Sequence, residues 1–467
     1  MATRRHRQRQ EPLWYRAELA EAPGHPFYQR LNRILEESGF DGFCEERCQK
    51  FYHDRLGRPS LPPGTYFRLM LIGFFEGIDS ERGIAWRVAD SLSLRQFLGF
   101  GLDEATPDHV TISRTRRLID ASTHQAVFGW VLRELARRGL LKGKTIGIDA
   151  TTLEANAAMK SIVRRDTQES YMEYLKRLAE AEGVEASDAA ALRRMDRRRP
   201  KKASNAEWVN RHDPQAEITR MKDGRTALAY KAEQAVDMET GAVVAVTAHG
   251  GAAGDPESVE VTLPAAGEAV AEWIAEPTPE GKYAVNAHGV EEVVADKGYH
   301  SGPVVAELHA AGVRSYVAEP ERGRQKWAGK QAQQHAVYAN RRRIRGHRGK
   351  ALLRRRGEVL ERTCAHLYES GALRRLHVRG KQNVQKKLLL QALACNLALI
   401  LRQQTGAGTP RAAQDLAAAL FFILLWWTGT EMWYRPPGAP PWRPQFVAPP
   451  AAPITGWRPC HRRKWPV

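Results

Sequence analysis

The chain has 467 residues, of which 71 are Lys or Arg and 53 are Asp or Glu, so its formal net charge is +18. The length allows two or three domains with a sizeable core. The charge favours a polyanionic partner, although a soluble basic enzyme or a membrane-surface binder would share it. The five cysteines have no metal-ligand spacing and no apolar segment follows the basic N-terminus, which together predict reduced thiols in a cytosolic protein, without a zinc site or secretory signal.

The first third of the chain is predicted to be helical. Residues 1–24 form a basic arm, and the apolar spacing of residues 25–38 predicts a helix that stops at Gly39. Short helices follow from Pro62, and the last of them runs from Asp108 to Ile119. Short helices that end on one with exposed arginines are typical of a helix-turn-helix DNA reader, and a plain helical bundle with a solvated basic face fits about equally well. The candidate DNA contacts on this last helix are Arg114, Arg116 and Arg117.

A sheet is predicted after a further helix at 126–139. The first strand covers residues 142–149, and a highly charged insertion at 157–225 interrupts the sheet pattern. The later elements are predicted as strands at 226–237 and 242–247, a helix at 255–274, a strand at 290–296, a helix at 303–311 and a strand at 314–317. This order predicts that the first strand and the strand after the long helix are neighbours.

Two aspartates end apolar runs of this predicted sheet, and a glutamate follows on a later helix. Asp149 closes the run that begins at Thr145, Asp296 closes the run that begins at Val293, and Glu361 lies in a helical stretch. A carboxylate at a strand end is held by the sheet and exposed to ions, and Mg²⁺ prefers such oxygen ligands. For one isolated aspartate a helix cap is the more frequent role. Three acids in a chain of this charge instead predict metal-dependent chemistry on nucleic acid.

A basic segment precedes the predicted helix of Glu361. Nine of the sixteen residues from Arg341 to Arg356 are Lys or Arg, and none is acidic. Such a block is usually disordered or solvated, but its position beside the acids favours a surface that follows phosphates. The candidate DNA contacts here are Arg341, Arg342, Arg343 and Arg345, together with Lys297 next to Asp296.

The C-terminal part changes in character. Residues 385–402 predict an apolar helix that packs on the core, and the apolar run 416–427 is too short to span a bilayer. Residues 428–467 contain ten of the 26 prolines and four of the twelve tryptophans. This composition predicts a mostly disordered tail without an assigned function.

The sequence Gly147-Ile148-Asp149-Ala150-Thr151-Thr152-Leu153-Glu154-Ala155-Asn156 resembles the first catalytic block of bacterial insertion-sequence transposases of the DDE type. Ala295-Asp296-Lys297-Gly298-Tyr299 is similar to their second block, and Val359-Leu360-Glu361-Arg362-Thr363 to their third. Residues 60–119 resemble the family's N-terminal helical domain. One position departs from the family: many relatives have Lys or Arg seven residues after the catalytic glutamate, where this chain has Tyr368.

The resemblance implies an α/β fold with a ribonuclease-H-like catalytic core and an all-helical N-terminal domain. It implies that Asp149, Asp296 and Glu361 bind two ions of Mg²⁺ or Mn²⁺, and that the protein cuts DNA and joins the freed 3′-hydroxyl to target DNA. Its partners would be the element's terminal inverted repeats and target DNA, in a homodimer or higher multimer near the bacterial nucleoid and without a membrane.

The domain boundaries that follow are an arm at 1–24, a helical DNA-binding domain at 25–140, a catalytic domain at 141–405 and a C-terminal segment at 406–467. Two other functions fit the same residues. One is a metal-dependent nuclease of this fold without strand transfer, and the other is a basic DNA-binding protein whose acids are only caps and surface groups.

Overall fold

A computed structural model describes residues 2–3, 24–53, 58–183, 189–199, 203–278, 284–321, 323 and 325–428. The Pro- and Trp-rich segment therefore lies outside the described residues, apart from Thr428. The chain divides into two compact units, residues 1–416 and 417–467. Within the second unit, the described part is the end of one helix.

The first part of the larger unit is helical. Strands β1 (Ala2–Thr3), β2 (Tyr52–His53) and β3 (Arg58–Pro59) form a minimal parallel sheet in the order β2-β1-β3. The helices are α1 (Pro26–Glu37), α2 (Phe40–Cys48), α3 (Pro63–Phe75), α4 (Glu81–Asp90), α5 (Leu92–Phe97), α6 (His109–Leu118) and α7 (Ala121–Arg137).

Side-chain caps set the beginnings of several of these helices. The side chains of Ser80, Asp108 and Asp120 accept hydrogen bonds from backbone amides three residues later, at the starts of α4, α6 and α7. The predicted start of α6 is confirmed. The predicted start of α7 at residue 126 is wrong by five residues, because Asp120 caps the helix earlier than its apolar periodicity suggested.

The central sheet is mixed. Its strands and those of a separate two-stranded sheet are β4 (Thr145–Glu154), β5 (Ile162–Arg164), β6 (Trp208–Asn210), β7 (Glu217–Arg220), β8 (Thr226–Asp237), β9 (Val243–Gly250), β10 (Glu292–Ala295) and β11 (Arg314–Val317). The sheet order is β11-β10-β4-β8-β7, with β9 also paired to β8. β4 is antiparallel to β8 and parallel to β10, so the predicted neighbourhood of β4 and β10 is confirmed.

Two sheet predictions need correction. β4 continues five residues past Asp149 to Glu154, because the long strand β8 pairs with it along that whole length. Asp149 therefore lies within the strand and not at its end. The sheet also resumes at Glu217, before the predicted residue 226, since β7 pairs with the start of β8. β7 is half-exposed and carries Ile218 between polar residues, so it lacks the apolar signature of a core strand.

The charged insertion is folded in its described parts. Helices α8 (Tyr171–Ala181) and α9 (Ala189–Arg198) form a small apolar cluster beside the two-stranded antiparallel sheet of β5 and β6. The Ser170 side chain and the Glu173 side chain complete a capping box at the start of α8.

The remaining helices follow in chain order, and most of them pack on the sheet. They are α10 (Asp255–Ala271), α11 (Gly302–Ala310), α12 (Gln331–Arg345), α13 (His347–Cys364), α14 (Lys381–Thr405) and α15 (Pro410–Thr428). The Asn396 amide on α14 bonds both the N–H and the carbonyl of Val243 on β9. On the same helix, the Lys386 ammonium donates to the carbonyl of Arg116 at the end of α6. The predicted core helix is therefore confirmed, and it connects both halves of the larger unit.

One described stretch, Lys381–Phe421, is long and apolar enough to pass a membrane-span test based on length and composition. Of its most apolar window, 83% is buried inside the protein. A single such helix is weak evidence for a membrane span, and its burial fits the role of α14 as a core helix.

Candidate active site

Asp149 lies at the point where β4 changes from buried to partly exposed. Residues Thr145–Ile148 are buried, whereas Asp149 is half-buried and stands opposite Gln234 of β8. Neighbours across an antiparallel pair point to the same face, so Asp149 and Gln234 share one side of the sheet. The Gln234 amide contacts the Cys364 sulfur at 2.7 Å, which places α13 over this side.

Asp296 reaches the same region from the adjacent strand. The parallel register pairs Val294 of β10 with Gly147 of β4, so two residues further along brings Asp296 level with Asp149. One oxygen of Asp296 accepts the Gly298 amide at 2.8 Å and caps a single 3-10 turn. Asp296 therefore fulfils the capping role of an isolated aspartate while its second oxygen faces Arg356.

Arg356 joins the two carboxylates. Its Nη2 atom lies 3.1 Å from Asp149 Oδ1 and 3.8 Å from Asp296 Oδ2, and its side chain is 16% exposed. Its Nε atom is buried and has no hydrogen-bond partner within the described part of the chain. The two acids thus converge on one positive charge, which the guanidinium supplies without completing its own hydrogen bonds.

Helix α13 can approach this closely because Gly147 has no side chain. A Cβ atom at Gly147 would lie 2.5 Å from Met238 Sδ and 3.3 Å from Leu360 Cδ1. Leu360 is buried against the sheet, and Arg356 lies one turn before it on the same helix face. The sheet-facing stripe of α13 therefore directs Arg356 toward the acids.

Glu361 lies at the border of this stripe and is exposed. One of its carboxylate oxygens is 4.0 Å from the position that a Cβ atom of Gly357 would take, so its side chain lies along its own helix. The ion pairs of Arg356 in the described part of the chain are with Asp149 and Asp296 and do not include Glu361. Glu358 is also exposed, and among the described residues no ion pair joins it to Arg354 or Arg362.

Opposing effects act on the pKa of the Asp149 carboxyl. Burial raises the pKa of the Asp149 carboxyl, the Arg356 charge and the Ala150 amide lower it, and the charge of Asp296 raises it again. Burial also raises the pKa of the Cys364 thiol to about 12, with a further contribution from Asp149. Cys364 is therefore a protonated neighbour of the site and does not supply a thiolate.

A buried polar network on the opposite side of the sheet supports the turn that follows Asp296. The Tyr299 hydroxyl donates to Glu233 Oε1 at 2.8 Å, and the Ser258 hydroxyl donates to the same oxygen at 2.5 Å. Nearby, Lys231 pairs with Asp255 at 2.6 Å. Glu233 is fully buried, and desolvation raises its pKa. This network was not predicted from the sequence. The charged residues Lys231 and Glu233, at alternate positions of an otherwise apolar strand, were a visible signal of it.

The donor set fits a divalent cation in part. Two carboxylates from adjacent strands already share one cation, and one or two carboxylates plus phosphate oxygens are a common Mg²⁺ ligand set. Within the described residues no cluster of three or more His, Cys, Asp or Glu side chains is close enough to hold a metal. Asp149 and Asp296 would therefore hold the ion, and Glu361 would have to turn toward them to join.

Two family models match separate parts of the chain. The model described as "Transposase domain (DUF772)" matches residues 16–118, and the model described as "Transposase DDE domain" matches residues 318–401. Neither a curated protein nor a solved structure gives a significant match. Together the two family matches support an insertion-sequence DDE transposase.

The matched regions contain only part of the candidate acid set. Glu361 and Arg356 fall inside the DDE-domain match, whereas Asp149 and Asp296 lie between the two matched regions. The pairing of β4 with β10 is what brings those two aspartates to the matched helix α13. The family matches and the structure thus support different members of one candidate site.

The candidate basic residues divide into exposed and internally bonded groups. Arg114, Arg117 and Lys297 are exposed. Arg116 was expected to be exposed, but it is buried, because its guanidinium bonds Glu81 at 2.6 Å and Asn383 at 2.8 Å. It fastens α6 to α4 and α14.

The segment from Arg341 to Arg356 is helical and forms the end of α12 and the first part of α13. Arg342 and Arg345 are exposed. Arg341 pairs with Glu319 through two nitrogens, and Arg343 donates to the Ser315 carbonyl and hydroxyl, both at 2.9 Å.

Tyr368, at the position where many relatives have a basic residue, is buried in a π-helical turn over Ala365–Ser370. Its side chain is therefore not presented to DNA. The next basic residues are Arg374, which pairs with Glu369, and Arg375, whose Nε lies 3.9 Å from Glu154.

Proposed function

We propose that this chain is a transposase that binds the ends of its own insertion element and catalyses metal-dependent DNA cleavage and strand transfer. Asp149, Asp296 and Glu361 are the proposed catalytic acids and metal ligands. The observation that carries the proposal is the convergence of Asp149 and Asp296, from adjacent parallel strands, on the helix that carries Glu361. The DDE family generally uses divalent metal ions.

The strand order supports a ribonuclease-H-like catalytic core. The first strand β4 pairs with the antiparallel hairpin β8–β9 on one side and with the parallel strands β10 and β11 on the other. This is the arrangement that the sequence order predicted, and it places the two aspartates side by side.

The chain's own residues would act as follows. Asp149 and Asp296 hold negative oxygens at the sheet, and Glu361 can reach them only by a change of side-chain orientation, since it is exposed at the border of α13. A divalent ion held there would activate a water or a 3′-hydroxyl as nucleophile and stabilise the leaving oxygen. Exposed Arg114, Arg117 and Lys297 are proposed DNA contacts, as are Arg342 and Arg345.

The partners proposed with this function are the terminal inverted repeats of the element and target DNA, bound by a homodimer or a higher multimer. A cytoplasmic, nucleoid-associated location accompanies that role. The net charge of +18 supports a polyanionic partner.

The deciding experiment compares the wild-type protein with Asp149→Asn and Asp296→Asn variants. Supercoiled plasmid nicking in Mg²⁺ tests for enzyme activity, and joining of a pre-cleaved element end to target DNA tests for strand transfer. We expect both variants to lose both reactions and to keep nearly normal DNA affinity, because each change removes a charge with little change of shape.

The same assays separate the alternative functions. Nicking without joining would indicate a nuclease, and DNA binding without either reaction would indicate a non-enzymatic binding protein. Full cleavage by either Asn variant would rule out the assigned acids. Glu257→Gln, on the exposed first turn of α10, is a matched carboxylate control on another element.

A further inference from the structure

Arg356 differs from the other arginines that pair with carboxylates on its own helix pair. Arg341 contacts Glu319 through both Nε and Nη2, and Arg348 contacts Glu292 in the same two-nitrogen manner. Arg356 instead presents one nitrogen to two different carboxylates, and its Nε is buried without a hydrogen-bond partner in the described chain. It is thus held by charge more than by directional hydrogen bonds.

The position of Arg356 also solves a problem of like charges. Asp149 and Asp296 come from adjacent strands and both approach the same guanidinium, so without a cation two carboxylates would lie together at a half-buried site. Removal of one partner from a buried charge cluster is strongly unfavourable. The two carboxylates therefore need a cation between them. In the absence of a metal, Arg356 is the side chain that supplies this charge.

We propose that Arg356 is the resident counter-ion of the Asp149–Asp296 pair and that a divalent cation binds by exchange with its guanidinium. The inference rests on the proposed metal-dependent function. The guanidinium keeps the acids charge-balanced and close together before metal arrives, and its incomplete hydrogen bonding makes it replaceable. A two-nitrogen pair such as Arg348–Glu292 has no comparable reason to exchange.

The test measures metal affinity in the full-length protein without DNA. Mn²⁺ binding to protein freed of metal by chelation is followed by calorimetry and by the loss of the free-ion electron paramagnetic resonance signal. Arg356→Gln should bind Mn²⁺ about tenfold or more tightly than wild type, because a competing unit charge at this distance outweighs a tenfold change even at protein-surface dielectric. The matched control is Arg348→Gln, on the same helix and against the same strand, and it should leave Mn²⁺ affinity unchanged.

A second measurement tests the contact itself in the metal-free protein. Arg356→Gln should lower the melting temperature in chelator, and that decrease should be at least halved when Asp149→Asn is also present, because one of the two uncompensated charges is then gone. Equal decreases in both backgrounds would show that Arg356 does not act through Asp149.

The outcomes distinguish the inference from the proposed function. Equal Mn²⁺ affinity of wild type and Arg356→Gln would overturn the exchange while leaving the metal site intact. Absence of Mn²⁺ binding in both proteins would overturn the exchange together with the metal-dependent function. Tighter binding in Arg356→Gln but not in Arg348→Gln, with the coupled melting temperatures, would support it.

Discussion

Arg68 among the N-terminal helices and Arg356 at the sheet differ in how completely their guanidinium groups are hydrogen-bonded. Arg68 on α3 is 5% exposed, and its Nε and Nη2 each donate to Asp41 at 2.9 Å. Its remaining nitrogen donates to the Asn32 side chain and, at 3.4 Å, to the Phe97 carbonyl. Arg356 reaches its two acids with one nitrogen and leaves Nε without a hydrogen bond among the described residues.

The difference teaches how to distinguish structural from functional charge in one chain. A fully bonded guanidinium fixes helices in place, and replacing any partner leaves a buried group unsatisfied. A guanidinium between two carboxylates that lacks some of its hydrogen bonds is held less stably than a fully bonded one. Such incomplete bonding is typical of sites that must accept a ligand. Four predictions follow this contrast from the largest expected effect to the smallest.

The largest effect is expected at Glu361. Glu361→Gln should reduce single-turnover cleavage of an end-containing duplex by about a thousandfold or more, whereas Glu358→Gln should keep most activity. The reason is position: Glu361 borders the stripe of α13 that faces the acids, and Glu358 lies further round the helix. Measurement in Mg²⁺ and then in Mn²⁺ checks it. An inactive Glu358→Gln protein with an active Glu361→Gln protein would move the third acid by one turn.

Loss of the paired aspartate should change the free energy of unfolding differently at the two arginine sites. Asp41→Asn should lower the free energy of unfolding by about 2–3 kcal/mol, because it leaves the charge of Arg68 buried and poorly compensated. Asp149→Asn should leave stability in chelator unchanged or raise it, since burial raises the pKa of that carboxyl and the ionised form is the costly one in the fold. Denaturant unfolding at pH 8 measures both.

A decrease for Asp149→Asn as large as that for Asp41→Asn would break this contrast. It would mean that Arg356 and Asp149 form a structural pair like Arg68 and Asp41. The inference of an exchangeable counter-ion would then lose its physical basis.

DNA affinity should depend on exposed arginines more than on internally bonded ones. Replacing Arg342 and Arg345 with Gln should weaken binding to all sequences alike and lower the slope of log K against log salt by about two, one phosphate contact for each. The matched double variant, Arg341→Gln with Arg343→Gln, removes bonds to Glu319 and Ser315 and should mainly lower stability. Equal slopes for both double variants would show that internal bonding does not set the DNA contacts.

The last prediction concerns pH. His124 is buried between the Tyr66 hydroxyl, at 3.1 Å, and the Asp120 carbonyl, at 2.8 Å, and burial lowers its pKa to about 4. The folded state therefore keeps His124 neutral while the unfolded chain takes up a proton below its ordinary value of 6.5. Stability should fall as pH drops between these values, by up to about 1.4 kcal/mol per pH unit from this residue.

His124→Asn removes this titration and can still donate to the Asp120 carbonyl. Unfolding measured from pH 7 to pH 4 should thus show a shallower slope in the variant than in wild type. An equal slope in both proteins would assign the pH dependence to other groups, such as His249, whose pKa burial also lowers to about 4.

Much of the fold could be read from local sequence. The caps at Ser80 and Asp108, the strand at 226–237 and the strand at 314–317 follow from periodicity and short-range hydrogen bonding, which depend on neighbouring residues alone. The resemblance to insertion-sequence transposases was confirmed as well, by the two family matches. The early start of α7 and the edge strand β7 were missed, since a cap and a half-exposed strand carry little apolar signal.

The sequence by itself determined which acids are candidates and that a basic helix accompanies them. Only the tertiary structure decided that β4 runs on past Asp149, that Arg116 is buried, and that Arg356, one of nine basic residues in its run, lies between Asp149 and Asp296. The physical reason is that burial and ion pairing depend on elements far apart in the chain. The absent side chain of Gly147 lets α13 approach the sheet, and no local pattern of charge reveals which arginine that approach selects.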